Sequence, residues 1–149
     1  DKRYLTLSES KLEHAAFHRA YPAIKEWHRD CAAQTRDGGW IWTRTATQRR
    51  RLLSYDDCSM MTMSNNLIQG AGADILKISL QKLSEHLVND ECNLIACIHD
   101  EIVLEAVHGK EDHYKAVLEQ CMREAGEKIL HEVPILADAS IGNNWAEAK

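Results

Sequence analysis

His99-Asp100-Glu101 lies between two short apolar runs, residues 94–98 and 102–104, and this arrangement constrains the fold more than anything else in the chain. Runs of that length suit strands and are too short for helices, so three polar residues sit at the bend of a hairpin. A two-residue hairpin turn ordinarily takes Asn-Gly or Gly-x, which tolerate positive φ, and His-Asp-Glu is a poor choice on turn chemistry alone. Carboxylates held by a rigid hairpin are what a divalent-metal site for phosphoryl transfer needs. Mg²⁺ prefers hard oxygen ligands, few of them protein carboxylates, with substrate phosphates supplying the rest. The plain alternative is an exposed acidic turn.

With 149 residues, 44% of them hydrophobic, the chain is long enough for one domain with a real core. No apolar run approaches the length of a membrane span, and Asp-Lys-Arg-Tyr at the N-terminus does not read as a secretory signal. Cys31, Cys58, Cys92, Cys97 and Cys121 form no C-x-x-C pair and are odd in number, so a reducing cytoplasm is expected, with Cys97 a small core residue of its strand. The net charge of −5 is unevenly spread. Residues 1–60 carry 11 Lys and Arg against 8 Asp and Glu, net +3, and residues 61–149 carry 7 against 15, net −8. Arg44, Arg49, Arg50 and Arg51 concentrate the basic part into a patch able to contact phosphates even on an acidic protein; a solvated surface is the alternative.

Thr6-Leu7-Ser8-Glu9 fits a capping box, and Leu12, Ala15, Ala16 and Ala20 keep a helical period, which predicts a helix over 7–20. Pro22 suits the first turn of a second helix, running past Ile24 and Trp27 to about Gln34 and ended by Gly38-Gly39. Residues 40–45 are aromatic and β-branched and predict a strand leading into the arginine run, with a loop over 54–60. The longest helix is expected after Ser64, with Asn65 near its start and Leu67, Ile68, Ala71, Ile75, Ser79, Leu83 and Leu87 on its buried face, stopping at Asn89-Asp90. The hairpin of 93–107 follows, then a turn at Gly109 and a helix over 111–130. Pro134 precedes a last strand over 135–141 and a tail in which the Trp145 indole packs. The order points to an α+β fold with a small antiparallel sheet.

The segment Ser64-Asn65-Asn66-Leu67-Ile68-Gln69-Gly70-Ala71-Gly72-Ala73-Asp74-Ile75-Leu76-Lys77, followed by His99-Asp100-Glu101-Ile102-Val103-Leu104-Glu105, resembles the C-terminal part of a family A DNA polymerase. Phe17-His18-Arg19-Ala20-Tyr21-Pro22 with Trp27, residues 45–51, Val133-Pro134 and Ile141-Gly142-Asn143-Asn144-Trp145 agree with it, so the resemblance covers nearly the whole chain. It implies the palm with part of the fingers, as a single unit.

By this resemblance Asp100 is one of two metal-binding aspartates, Glu101 an accessory acid near the metals, and His99 a contact to the primer's 3′ end, with Mg²⁺ as cofactor and primer-template DNA and deoxynucleoside triphosphates as partners. Asn65 and Gln69 lie four apart on one helix face and carry side chains suited to minor-groove acceptors, which look much alike at every correct base pair. The family uses an Asn and a Gln there to check pairing geometry; a helix cap and a surface glutamine are the alternatives. Arg49, Arg50 and Arg51 are the expected DNA contacts. Gly70, Ala71 and Gly72 are small enough for close approach of the hairpin or of DNA, or simply for core packing.

The chain also departs from the family pattern. Met61 stands where an arginine often precedes the asparagine by four, and Gln48 where a glycine precedes the arginine run. Neither the strand with the first catalytic aspartate nor the fingers helix that grips the nucleotide's phosphates is found, since both lie upstream in the family. A C-terminal fragment or split subunit, inactive alone and completed by an upstream chain, is therefore expected. The alternative is a non-catalytic module that binds DNA or a partner. His14 and His18, four apart on a helix as zinc ligands can be, raise a third possibility, a small metal enzyme, although no Glu follows His14 to complete H-E-x-x-H.

Overall fold

The computed structural model describes residues 4–33, 40–45, 47–54 and 56–148. Two units are distinguished, Asp1–Thr45 with Arg49–Leu67, and Ala46–Gln48 with Ile68–Lys149.

In the first unit, α1 (Leu7–Ala20) opens on the expected capping box: the Glu9 N–H donates to the Thr6 hydroxyl at 3.3 Å and the Glu9 carboxylate accepts the Thr6 N–H at 2.8 Å. Its apolar residues are not covered, however. Leu12 is 68% exposed and α1 buries no residue, so local capping rather than burial delimits this helix. Tyr21 closes it through an N–H bond to the Phe17 carbonyl, and α2 (Pro22–Ala33) begins at the proline. Gln34 and Gly38-Gly39 lie outside the described residues. Trp27 and Cys31 of α2 pack with Leu53, Cys58, Met63 and Leu67 into a small core.

The strand β1 (Trp40–Arg44) matches expectation, but the arginine run is part of a second strand rather than the end of the first. This strand, β2 (Arg50–Ser54), pairs antiparallel with β1 from Arg44↔Arg50 to Trp40↔Ser54. Only Leu53 of β2 is buried, so the apolar alternation that reveals a half-buried strand is missing. The connecting loop closes with a Thr45 N–H to Arg49 carbonyl bond of 2.9 Å and holds Gln48 at φ 64°, a backbone conformation that favours glycine.

Helix α3 (Met60–Ser84) starts earlier than the sequence suggests. Ser59 is the cap, its hydroxyl accepting the Thr62 N–H at 3.1 Å, whereas Ser64 lies inside the helix and donates to the Met60 carbonyl at 2.8 Å. The same residue type serves in both roles, which is why the boundary was misplaced. The helix also ends early, at Ser84, in a turn whose His86 N–H bonds the Leu83 carbonyl at 2.9 Å; Leu87 lies outside the helix but still packs on the core. Ser79 and Leu83 are buried as expected, and Ile68 is 61% exposed.

In the second unit β3 (Cys92–Ile98) and β4 (Glu101–Ala106) form the expected antiparallel hairpin, and α4 (Glu111–Ile129) follows Gly109, whose φ is 90°. Ile102 and Leu104 of β4 pack with Leu76, Leu80 and Leu83 of α3 and with Leu118 and Cys121 of α4. Full burial of such a side chain contributes about 1.5–3 kcal/mol, enough to seat the hairpin firmly on the helices. Tyr114, 2% exposed, donates its hydroxyl to Glu91 at 3.3 Å beside the base of β3. Gly126 admits Ile135, whose Cγ2 would lie 2.7 Å from an added Cβ.

Two expectations fail in this unit. Residues 135–141 form no strand; their burial alternates, but Ile135 packs on Gly126 and the Ala139 N–H donates to the Glu119 carboxylate at 2.8 Å, so side chains of α4 hold the segment where a ladder was expected. Cys97 is exposed rather than in the core. Of β3 only Cys92, at its start, is buried, and Cys97 lies toward the turn, where the ladder is more open. Trp145 is 49% exposed. Among the described residues no helix is long and apolar enough to cross a membrane. The class is α+β, with two two-stranded antiparallel sheets among the described residues.

Candidate functional site

The ladder of β3 and β4 runs to Ile98↔Glu101, so His99 and Asp100 alone make the turn and Glu101 opens β4. His99 has φ 56° and Asp100 is not in the positive-φ region, the sign pattern of a type II′ turn, whose first central residue is normally glycine. A side chain in that conformation costs about 1–2 kcal/mol. The poor turn chemistry read from the sequence is thus a real backbone cost, tolerated because the strands on either side are held by the core.

His99, Asp100 and Glu101 are all exposed, and among the described residues neither carboxylate makes a hydrogen bond or ion pair. Both therefore keep their lone pairs available. Two adjacent hard-oxygen donors on a short turn fit Mg²⁺, which takes one or two protein carboxylates and fills its shell with water or phosphate. The fit is to part of a site: no group of three or more His, Cys, Asp or Glu poised for a metal exists among the described residues. A β-bulge lies farther along β3, where the register shifts between Leu94 and Ala96 and leaves Ile95 unpaired and 57% exposed.

Asn65 and Gln69 are both exposed on α3, one turn apart. Because α3 begins at Met60, Asn65 is an exposed residue inside the helix and not its cap. Met61 is 74% exposed on the preceding turn. Gly72 is exposed and an added Cβ there would meet nothing within 4 Å, so close approach of the hairpin does not explain that glycine; Gly70 is buried. Arg50 and Arg51 are exposed on β2, and Arg49 is half-buried at the end of the loop. What sequence reasoning missed is that these arginines belong to a two-stranded hairpin; residues 46–49 hold no Gly, Asn or Asp, so the usual hairpin-turn signal is missing.

The sequence pattern of DNA polymerase family A matches residues 3–147. The chain belongs to this family. It is 30% identical to DNA polymerase I of Aquifex aeolicus over 96% of its own length and 25% of that protein's. Against DNA polymerase I of Lactococcus lactis subsp. cremoris it is 30% identical, and against that of Streptococcus pneumoniae 32%, covering in each case 97% of this chain and 17% of the relative. Among solved structures, the POL domain of Pol1 from M. smegmatis, in complex with DNA primer-template and dNTP, superposes with a TM-score of 0.69 at 22% identity over 81% of this chain and 23% of that one. That likeness establishes the fold. This family A chain thus spans a quarter or less of the length of these relatives.

Proposed function

We propose that the chain acts as the hairpin-bearing part of a DNA-directed DNA polymerase, catalysing template-dependent nucleotidyl transfer when the rest of the polymerase is present. The observation that carries this reading is the pair of unpartnered carboxylates, Asp100 and Glu101, on a turn held in an unfavourable backbone conformation within a family A chain. In this proposal Asp100 is a metal ligand, Glu101 an accessory acid and His99 a contact to the primer end. Mg²⁺ bound there supplies charge neutralisation at the transferring phosphoryl group. Asn65 and Gln69 check the shape of the terminal base pair from the minor groove, and Arg49, Arg50 and Arg51 attract the DNA backbone.

The chain alone is inactive in this reading, because a two-metal site needs more carboxylate than one turn provides. An upstream segment, in the same chain or in another, supplies the remainder. Uncovered apolar surface supports it: Leu7 and Leu12 on α1 are 73% and 68% exposed, and Leu94 and Ile95 on β3 are 45% and 57% exposed. Five free cysteines suit a reducing, cytoplasmic setting. Primer extension with Mg²⁺ and all four nucleotides tests the proposal, first with this chain alone and then with an added polypeptide carrying the upstream part of a family A polymerase domain. Extension only in the second case is expected. Robust extension by the chain alone, or none in either case while DNA is still bound, counts against it, the latter favouring a non-catalytic DNA-binding module.

A further inference from the structure

The polymerase reading makes no use of three histidines in the first unit. His14 and His18 share a face of α1, with their Nε2 atoms 3.2 Å apart and ring centroids 4.5 Å apart. His28, on α2, stands across the helical hairpin with its ring centroid 6.5 Å from that of His18. Two nitrogens bound at 2.0–2.1 Å to a tetrahedral zinc ion stand about 3.3 Å apart, close to the spacing already present. The 3.2 Å contact holds in the absence of an ion as an N–H···N bond, one ring donating and the other accepting. A metal takes the proton's place between the rings once the donor ring carries its hydrogen on Nδ1, with no net proton released.

No third ligand is yet in place, which agrees with the absence of a preformed three-ligand group among the described residues. His28 is the nearest imidazole across the helix pair.

We propose that His14 and His18 form a zinc-binding pair, completed by His28 and solvent, that clips α1 to α2. This site is independent of the polymerase reading. The test is titration of the full chain with Zn²⁺, and with Co²⁺ as a spectroscopic probe, under reducing conditions. Saturable one-to-one binding is expected, with cobalt d–d bands and no thiolate-to-cobalt charge-transfer band, together with a rise in melting temperature on adding zinc. His14→Ala, at an exposed position that leaves the fold intact, and His18→Gln should each weaken binding by at least about tenfold and abolish the thermal shift, with His28→Gln weakening it less. His86→Ala and Cys97→Ser should bind as the parent chain does. No saturable zinc binding, wild-type affinity in the His14→Ala variant, or binding lost instead in Cys97→Ser or in Asp100→Ala would each overturn the proposal.

Discussion

The β1–β2 hairpin joins its strands through residues 45–49 and carries Arg49, Arg50 and Arg51, whereas the β3–β4 hairpin turns on His99 and Asp100 alone and carries acids. Each holds a non-glycine residue in the left-handed region, Gln48 at φ 64° and His99 at φ 56°. The longer connection leaves several residues over which to spread that cost, and the two-residue turn leaves none. In the proposed function, slack of this kind suits a surface that attracts DNA, because charge acts over a Debye length of about 8 Å and tolerates small displacements. Groups that take part in chemistry, as Asp100 and Glu101 do in that proposal, must be held within about 0.5 Å, and a turn without slack, seated by Ile102 and Leu104 on α3 and α4, suits that need.

The sharpest way to break this comparison is to remove a charge from each hairpin in a polymerase completed by its upstream part. Asp100→Ala should lower the single-turnover extension rate by roughly a hundredfold or more, with little change in DNA affinity, since one interaction with developing transition-state charge is worth about 3 kcal/mol or more. Near-full turnover would remove Asp100 from the chemistry. Arg50→Ala and Arg51→Ala should do the opposite: weaker DNA binding across all sequences, each reducing the slope of log affinity against log salt by about 1 per lost phosphate contact. An unchanged slope would return the run to a solvated strand end.

Gln69→Ala, outside both hairpins, should slow extension several-fold more than it weakens binding and should reduce the penalty for a mispaired primer end. If both stayed unchanged, Gln69 would be plain helix surface. Smaller effects come from the backbone. Gln48→Gly and His99→Gly should each raise stability by roughly 0.5–1 kcal/mol, the relief of a left-handed side chain less the added freedom of glycine in the unfolded chain, measured by denaturant midpoint. Only His99→Gly should also cost activity; equal losses in both would mean that the two turns do not differ in function.

The smallest effect concerns the scaffold beneath the acidic hairpin. Lys82 donates to Glu124 at 2.6 Å, joining α3 to α4, and this hydrogen bond, followed by that from Gln120, holds the Glu124 carboxyl below its ordinary range. A lowered carboxylate pKa contributes stability that is present above the unfolded value and lost as pH falls through the folded one. The melting temperature of the parent should therefore exceed that of Glu124→Gln near neutrality, with the gap closing through the acid range below the usual carboxylate pKa. A gap that stayed constant with pH would mean that packing, and not charge, links the two helices.

Much of this was legible in local signals. The capping box at Thr6, the proline at the start of α2, the apolar runs either side of His99-Asp100-Glu101 and the acids at the start of α4 act within one or two turns of chain, so the residues themselves specify the element. The wrong readings came where residues of one type serve two roles. Ser59 and Ser64 are equally good caps in isolation, and the choice went to the one whose N3 amide was free to bond it. Residues 135–141 alternate as a strand does, yet a strand requires a ladder, and α4 anchors the segment by a carboxylate and a glycine notch instead.

For the site, the sequence by itself determined which groups are available: two adjacent carboxylates and a histidine at a turn, an Asn and a Gln one helical turn apart, and three consecutive arginines, because residue type and short-range spacing depend on covalent order alone. Only the tertiary structure decided that His99 takes the left-handed conformation, that the arginines belong to a hairpin, that Cys97 is exposed, and that His28 comes to stand beside His18. Each of these depends on which surface packs against which, a choice made by burial between segments distant in sequence and therefore invisible to any local pattern.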